Sequence, residues 1–284
     1  MTLVKQCVLV FSVLSLFGCA STQPPEKPYI ADVVYGHKDG MALFYDVFKP
    51  TANSNGAGII FMVSGGWFSR WQDPADRQEL FADMLDAGYT VFAVHHGSAP
   101  RYYVPEAYAD VSRAVRHIRL HAAEYGVDSE RLGVTGGSAG GHLSLMIGTD
   151  SDSGSADAED AVMRVSNRVA AVVAYFPPVD IRPLAGNGGD RFPALNFASE
   201  SDAASISPIL FVSPDDPPTL LIHGDADTLV PIDNSAQIFA AFQQADVSTN
   251  FITIPGGDHG FRNPEHREAA AQHRLAWFNQ YLLP

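Results

Sequence analysis

The sequence predicts an α/β chain built on a doubly wound, mostly parallel central sheet, opened by an antiparallel hairpin and carrying little or no cap. Three observations lead there. Short continuous apolar runs, such as "AGIIFMV" (57–63), "VAAVVAYF" (169–176) and "PTLLIHG" (218–224), have the composition of strands covered on both faces. Longer segments between them repeat apolar residues at helical spacing. The two kinds alternate along one chain, which implies right-handed crossovers between parallel strands.

The elements follow in order. "IADVVY" (30–35) and "MALFYDVF" (41–48) alternate around "GHKDG" and form the opening hairpin. "AGIIFMV" is the first central strand; "PADRQELFADMLDAG" (74–88) reads as one helix ending at Gly88, and "YTVFAVH" (89–95) as the next strand. The segment 104–126 places Val104, Ala107, Val111, Ala114, Val115, Ile118 and Ala122 on one helix face, with Pro105 near its start and Gly126 past its end. "RLGVTG" (131–136) is a short strand running directly into the helical "GSAGGHLSLMIG" (137–148). The strands "VAAVVAYF", "PTLLIHG" and "NFITI" (250–254) then interleave with helices over 234–245 and 266–283.

The first twenty residues, "MTLVKQCVLVFSVLSLFGCA", carry Lys5, an apolar run from Cys7 to Phe17, and small residues after it. That run is too short to span a bilayer and reads as an export signal. Its end, "LFGC", resembles the lipobox of bacterial lipoproteins. The resemblance implies a signal peptide over 1–18, acylation of Cys19, a polar Pro-rich tether over 19–28 and a single domain over 29–284. Ala20 is not the aspartate associated with inner-membrane retention, so outer-membrane anchoring is expected if the source is Gram-negative. Cys7 and Cys19 are the only two cysteines among 284 residues, so the expected mature domain needs neither a disulfide nor a thiol nucleophile. A formal charge of −14 argues against nucleic acid as a partner. Oligomeric state is not legible in the sequence.

Candidate chemistry begins at "GVTGGSAGGHLSLM" (133–146), which frames Ser138 between Gly136 and Gly140 at the carboxyl end of a central strand. Doubly wound sheets bind ligands at that edge. A serine hydroxyl needs a base to take its proton and an acid to orient the base. "LLIHGDADTLVP" offers Asp227 just beyond one strand, and "IPGGDHGF" offers His259 just beyond the next. Serine, acid and histidine thus occur in the order that a strand–turn–helix nucleophile requires.

With these three segments in view, the chain resembles the α/β-hydrolase fold, most closely bacterial esterases related to acetyl and feruloyl esterases and the hormone-sensitive-lipase group. The likeness runs from about residue 35 to the end. It implies Ser138 as nucleophile, Asp227 as acid and His259 as base, with Asp225 and Asp258 as competing acids. It also implies an oxyanion hole made by the backbone N–H of Ala139 and by "VSGGWFSRW", through Trp67 and Gly66. The family's histidine in that loop is replaced by Ser64, and "VHHGSAPR" (94–101) departs from the family's Asp-Tyr-Arg-Leu. No cofactor is implied. The expected activity is hydrolysis of small or polysaccharide-linked carboxylic esters. A prolyl-oligopeptidase-like peptidase, sharing "HGDADTLVP", and a non-catalytic binding lipoprotein are the alternatives.

Other residues are read more plainly. His95 and His96 are expected to be hydrogen-bonded structural histidines rather than metal ligands. His117 and His121 should lie on the surface, and His142 should pack the start of the nucleophile helix. The acidic loop "DSDSGSADAED" (150–160) fails the EF-hand pattern and is expected to be solvated. Trp67, Trp71, Tyr102 and Tyr103 either wall the site or pack its loops. The stretch between residues 176 and 218 should hold at most a small cap, with Arg191 or Phe192 reaching substrate.

Overall fold

The computed structural model describes residues 27–51, 53–197 and 199–284. Cys19 and the expected signal segment lie outside the described residues. Eight strands form one sheet: β1 (Tyr29–Lys38), β2 (Met41–Phe48), β3 (Gly58–Met62), β4 (Thr90–Val94), β5 (Leu132–Gly137), β6 (Ala171–Tyr175), β7 (Thr219–Gly224) and β8 (Thr249–Ile254). Their spatial order is β1-β2-β4-β3-β5-β6-β7-β8. The β1–β2 and β2–β4 pairs are antiparallel, and every later pair is parallel.

The continuous apolar runs arise because alternate residues serve two different cores. Ile60, Phe92, Val172 and Leu221 belong to one layer. Their neighbours Ile59, Val91, Val173 and Leu220 belong to the other. The first layer is closed by α3 (Val104–His121) and α4 (Ala139–Thr149), and by Ile238 and Phe242 of α6 (Asp233–Gln244). The second is closed by Phe81, by Met84 and Leu85 of α2 (Ala82–Asp86), and by Trp277 and Phe278 of α7 (Pro264–Leu282). All seven residues expected on the inner face of α3 and its extension are buried.

One expected element is corrected. Residues 74–88 do not form a single helix: α1 (Pro74–Arg77) and α2 are joined by a 3₁₀ turn at Gln78–Phe81. The buried Arg77 is held by the Arg70 carbonyl at 3.1 Å, while Phe81, Met84 and Leu85 are fixed in the core. The tighter turn joins these two anchored segments, a requirement that helical periodicity does not reveal. Among the described residues between β6 and β7, the helical elements are short turns and α5 (Glu200–Ser205).

The strand-to-helix corner at Ser138 is tight. A Cβ on Gly136 would sit 2.6 Å from the carbonyl carbon and oxygen of Gly140, and a Cβ on Gly140 would sit 2.8 Å from the Met62 carbonyl. The glycines therefore let α4 turn back across the end of its own strand. Gly136→Ala should lower stability by about 1–3 kcal/mol, as overpacking against rigid backbone does. Denaturant unfolding measures this; an unchanged midpoint contradicts the close crossing.

Candidate active site

Ser138 occupies the corner itself, with φ 55° and ψ −118°. A non-glycine residue rarely holds positive φ, and here the surroundings enforce it. Its amide donates to the Tyr175 carbonyl at 2.9 Å, and its carbonyl accepts from the His142 amide at 2.9 Å, opening α4. The hydroxyl is thereby lifted clear of the sheet edge.

The carboxyl ends of β7 and β8 bring its partners. Asp227 Oδ2 accepts from His259 Nδ1 at 2.7 Å, which fixes the proton on Nδ1 and leaves the Nε2 lone pair free to accept from Ser138 Oγ at 3.0 Å. Asp227 is itself held: Oδ1 accepts from the amides of Leu229 at 2.8 Å and Val230 at 3.0 Å. Its side chain is fully buried, whereas that of His259 is 20% exposed. Such a carboxylate is rigid, and the imidazole it orients still reaches solvent and substrate. The two competing acids point away. Asp225 accepts from the Gly256 amide at 2.6 Å, and Asp258 pairs with Arg262.

A second histidine, His223, reaches the same carboxylate. Its Nε2 lies 3.3 Å from Asp227 Oδ2 and 2.9 Å from the Val230 carbonyl, while Nδ1 accepts from Ser235 Oγ at 2.8 Å. Burial pushes its pKa down, which keeps it a neutral donor. Sequence spacing placed His223 four residues before Asp227 but gave no sign of this contact. Phe176, at φ 36°, packs against His259 with ring centroids 4.7 Å apart and the ring planes tilted by 57°. No motif marked it.

The loop after β3 makes a two-residue turn. Gly65 and Phe68 exchange backbone hydrogen bonds at 3.0 and 3.1 Å, and Gly66 and Trp67 sit at its apex with φ 59° and 57°. Both values belong to a type I′ turn, which only glycine adopts freely. Trp67 is kept there by burial and by its indole N–H, which donates to His142 Nδ1 at 3.2 Å. His142 Nε2 in turn donates to the Ile206 carbonyl at 2.7 Å. His142 is thus more than packing: it ties the loop to α4 and to the segment before β7. Ser64 has its own support, donating to His96 Nε2 at 2.8 Å, and His96 Nδ1 donates to the Gly97 carbonyl at 2.7 Å. Ala139, at the first position of α4, is buried beside Ser138.

The remaining expectations divide. His95 is buried and meets Ser69 Oγ at 3.1 Å and Arg77 at 3.4 Å. His117 is half-buried against the Tyr45 hydroxyl at 3.1 Å rather than a free surface residue, and His121 pairs with Glu124. The acidic loop is exposed but pinned, since Asp152 pairs with Arg116 at 2.6 Å and Asp160 with Arg113. Tyr102 and Tyr103 line neither cavity at Ser138, whereas Trp67, Trp71 and Phe192 do. Arg191 instead lies over the Phe192 ring. Among the described residues, no three His, Cys, Asp or Glu side chains gather as a metal site would need.

Two cavities meet at Ser138. One, of about 130 Å³, is lined by Gly66, Trp67, Leu184, Phe192, Leu195 and Leu229. The other is an open cleft of about 810 Å³ bounded by Ser64, Phe68, Trp71, Phe176 and His259.

Known proteins resemble this chain in sequence and in fold. Residues 45–242 match the BD-FAE family. The chain is 27% identical to a protein of Mycobacterium tuberculosis named probable carboxylic ester hydrolase LipM, over 81% of this chain and 56% of that protein. It spans 56–59% of the length of the first curated relatives it matches. Among solved structures, the acetyl ester-xyloside bifunctional hydrolase of Caldicellulosiruptor lactoaceticus shares the fold at TM-score 0.78 and 24% identity, covering 89% of this chain and 97% of that one. A truncated carbohydrate esterase from gut microbiota superposes at TM-score 0.70 and 28% identity, covering 88% and 96%.

The buried histidines make stability depend on pH. Burial holds both His96 and His142 down to about 4, against an ordinary value near 6.5. Unfolded, each takes a proton near pH 6.5; folded, each resists until about 4. Their contribution is complete above pH 6.5 and declines as pH falls toward 4, by roughly 3 kcal/mol for each at most. Urea midpoints measured across that window should fall steadily with decreasing pH; a flat profile contradicts neutral, buried rings.

Proposed function

We propose that this chain, which belongs to the BD-FAE family, is a serine hydrolase of carboxylic esters carrying short acyl groups. The observation that carries this reading is the hydrogen-bonded relay from Asp227 through His259 to Ser138, set on a strained corner where residues beyond the ends of β5, β7 and β8 meet.

The geometry supplies each step. His259 Nε2 removes the Ser138 proton as Oγ attacks the ester carbonyl, and Asp227 stabilises the imidazolium that forms. The amides of Ala139 and of Trp67 or Gly66 take the oxyanion, each donor being worth roughly 3–4 kcal/mol of transition-state stabilisation. His259 then protonates the departing alkoxide, and a water that it deprotonates releases the acyl group. Because Trp67 is clamped by His142, and Ser64 by His96, the donor loop is held before substrate arrives.

The leaving oxygen must lie where His259 can reach it. His259 borders the open cleft and not the smaller cavity, so the alcohol occupies the cleft and the acyl group the 130 Å³ pocket. The apolar walls and size of that pocket favour acetyl or a similarly short chain. The proposal extends to export with lipid anchoring at Cys19, for which the apolar run and "LFGC" are the support.

Hydrolysis of p-nitrophenyl esters from acetate to decanoate tests the reading. Activity should peak at the short end, and Ser138→Ala should lower kcat by at least about 10⁴-fold. Turnover that survives in Ser138→Ala, or a preference for long chains, contradicts it.

A further inference from the structure

The acid of the relay is supported beyond what the relay itself requires. Asp227 Oδ1 accepts from the amides of Leu229 and Val230, and Oδ2 accepts from His259 Nδ1. A carboxylate has about four lone-pair sites. His223 Nε2, 3.3 Å from Oδ2, stands at the one that remains, and both side chains are fully buried. A carbonyl can only accept, so the contact with Val230 O at 2.9 Å places the ring proton on Nε2 and leaves Nδ1 to accept from Ser235 Oγ at 2.8 Å. One N–H is thus shared between the Val230 carbonyl and Asp227 Oδ2. Burial, which pushes the pKa of the ring down, keeps it neutral. Val230 closes the arrangement, with its amide on Oδ1 and its carbonyl on His223.

N–H groups around a buried carboxylate fix its plane and divide its charge. If Oδ2 lost the one from His223, it would become a stronger acceptor for the one that stays. His259 would then be drawn toward Asp227 and away from Ser138 Oγ, which it now reaches at 3.0 Å. We propose that His223 is a positioning residue of the relay: its Nε2–H holds Asp227 Oδ2 in line with His259 Nδ1 and limits how strongly the carboxylate pulls on that ring. This rests on the reading of Ser138 as nucleophile and His259 as base. The competing role is purely structural, a tie from the end of β7 through Ser235 to the first turn of α6.

Two substitutions separate these roles, because each keeps one half of the ring. In His223→Gln the side-chain amide comes near the place of Nε2 and still donates toward Asp227 and Val230. In His223→Asn it comes near the place of Nδ1 and keeps only Ser235. On p-nitrophenyl acetate, kcat should fall at least about tenfold in His223→Asn and stay within about threefold of the wild type in His223→Gln, as small misplacements of reacting groups do. Ser235→Ala, which leaves the Nε2–H in place, should also stay within about threefold, and with His223→Gln it decides the matter if His223→Asn does not fold. A loss of about tenfold in either His223→Gln or Ser235→Ala overturns the proposal, as does full activity in His223→Asn. A second readout needs no turnover: the nitrogen chemical shift of His259 Nδ1 in isotopically labelled protein, read through the carbon-bound ring protons and assigned by its loss in His259→Ala. It should move downfield in folded His223→Asn, as a stronger hydrogen bond to Asp227 requires, and hold its wild-type value in His223→Gln. An unmoved shift in His223→Asn overturns the proposal. If the wild type hydrolyses no ester, the hydrolase reading fails, and the shift still decides whether His223 acts on the Asp227–His259 contact.

Discussion

The close crossing of α4 over the end of β5 is the constraint on which the site depends. Only hydrogen fits between Gly136 and the Gly140 backbone, and between Gly140 and the Met62 carbonyl. That approach forces the intervening residue to positive φ and puts its side chain at the tip of a central strand. Everything else is arranged around this fixed point: His259 arrives from β8, Asp227 from β7, and the Gly66–Trp67 turn from β3. A hydroxyl on a flexible loop would make the same hydrogen bond only part of the time, whereas this backbone leaves no alternative position.

Neutral histidines hold the frame together. His96, His142 and His223 are buried, and each uses one ring nitrogen as donor and the other as acceptor. His96 and His142 join segments distant in the chain, the β3 loop to the end of β4 and the same loop to α4 and the segment before β7, while His223 ties the Asp227 loop to the start of α6. Such links are rigid because a buried ring that loses a partner leaves a polar atom without water. His96 gives Ser64 a partner at the position where the resembled family carries a histidine of its own. The departure at "VHHGSAPR" and the departure at Ser64 are therefore two halves of one contact.

Much of this was legible in the sequence, and the limits follow from physics. The double-sided apolar runs located β3, β6 and β7 because strands buried on both faces are built mostly from apolar residues. Ser138, Asp227 and His259 were legible because each lies within a few residues of the carboxyl end of a strand run, so the fold brings them to one edge. His142 with Trp67, and His96 with Ser64, are 75 and 32 residues apart, and nothing in either local pattern names the other. The break at Gln78–Phe81 was hidden for a related reason: the anchoring of the buried Arg77 side chain on the Arg70 carbonyl is not visible in helical periodicity. The contact of His223 with Asp227 follows from how the loop after β7 folds back, which residue types alone do not specify.

The central claim is that one serine is activated by this relay. Stoichiometric reaction with an organophosphate, read by intact-protein and peptide mass spectrometry, tests it most directly. The account predicts a single phosphoryl adduct on Ser138 in the wild type and almost none in His259→Ala. No adduct in the wild type, or an adduct on another residue, would contradict it.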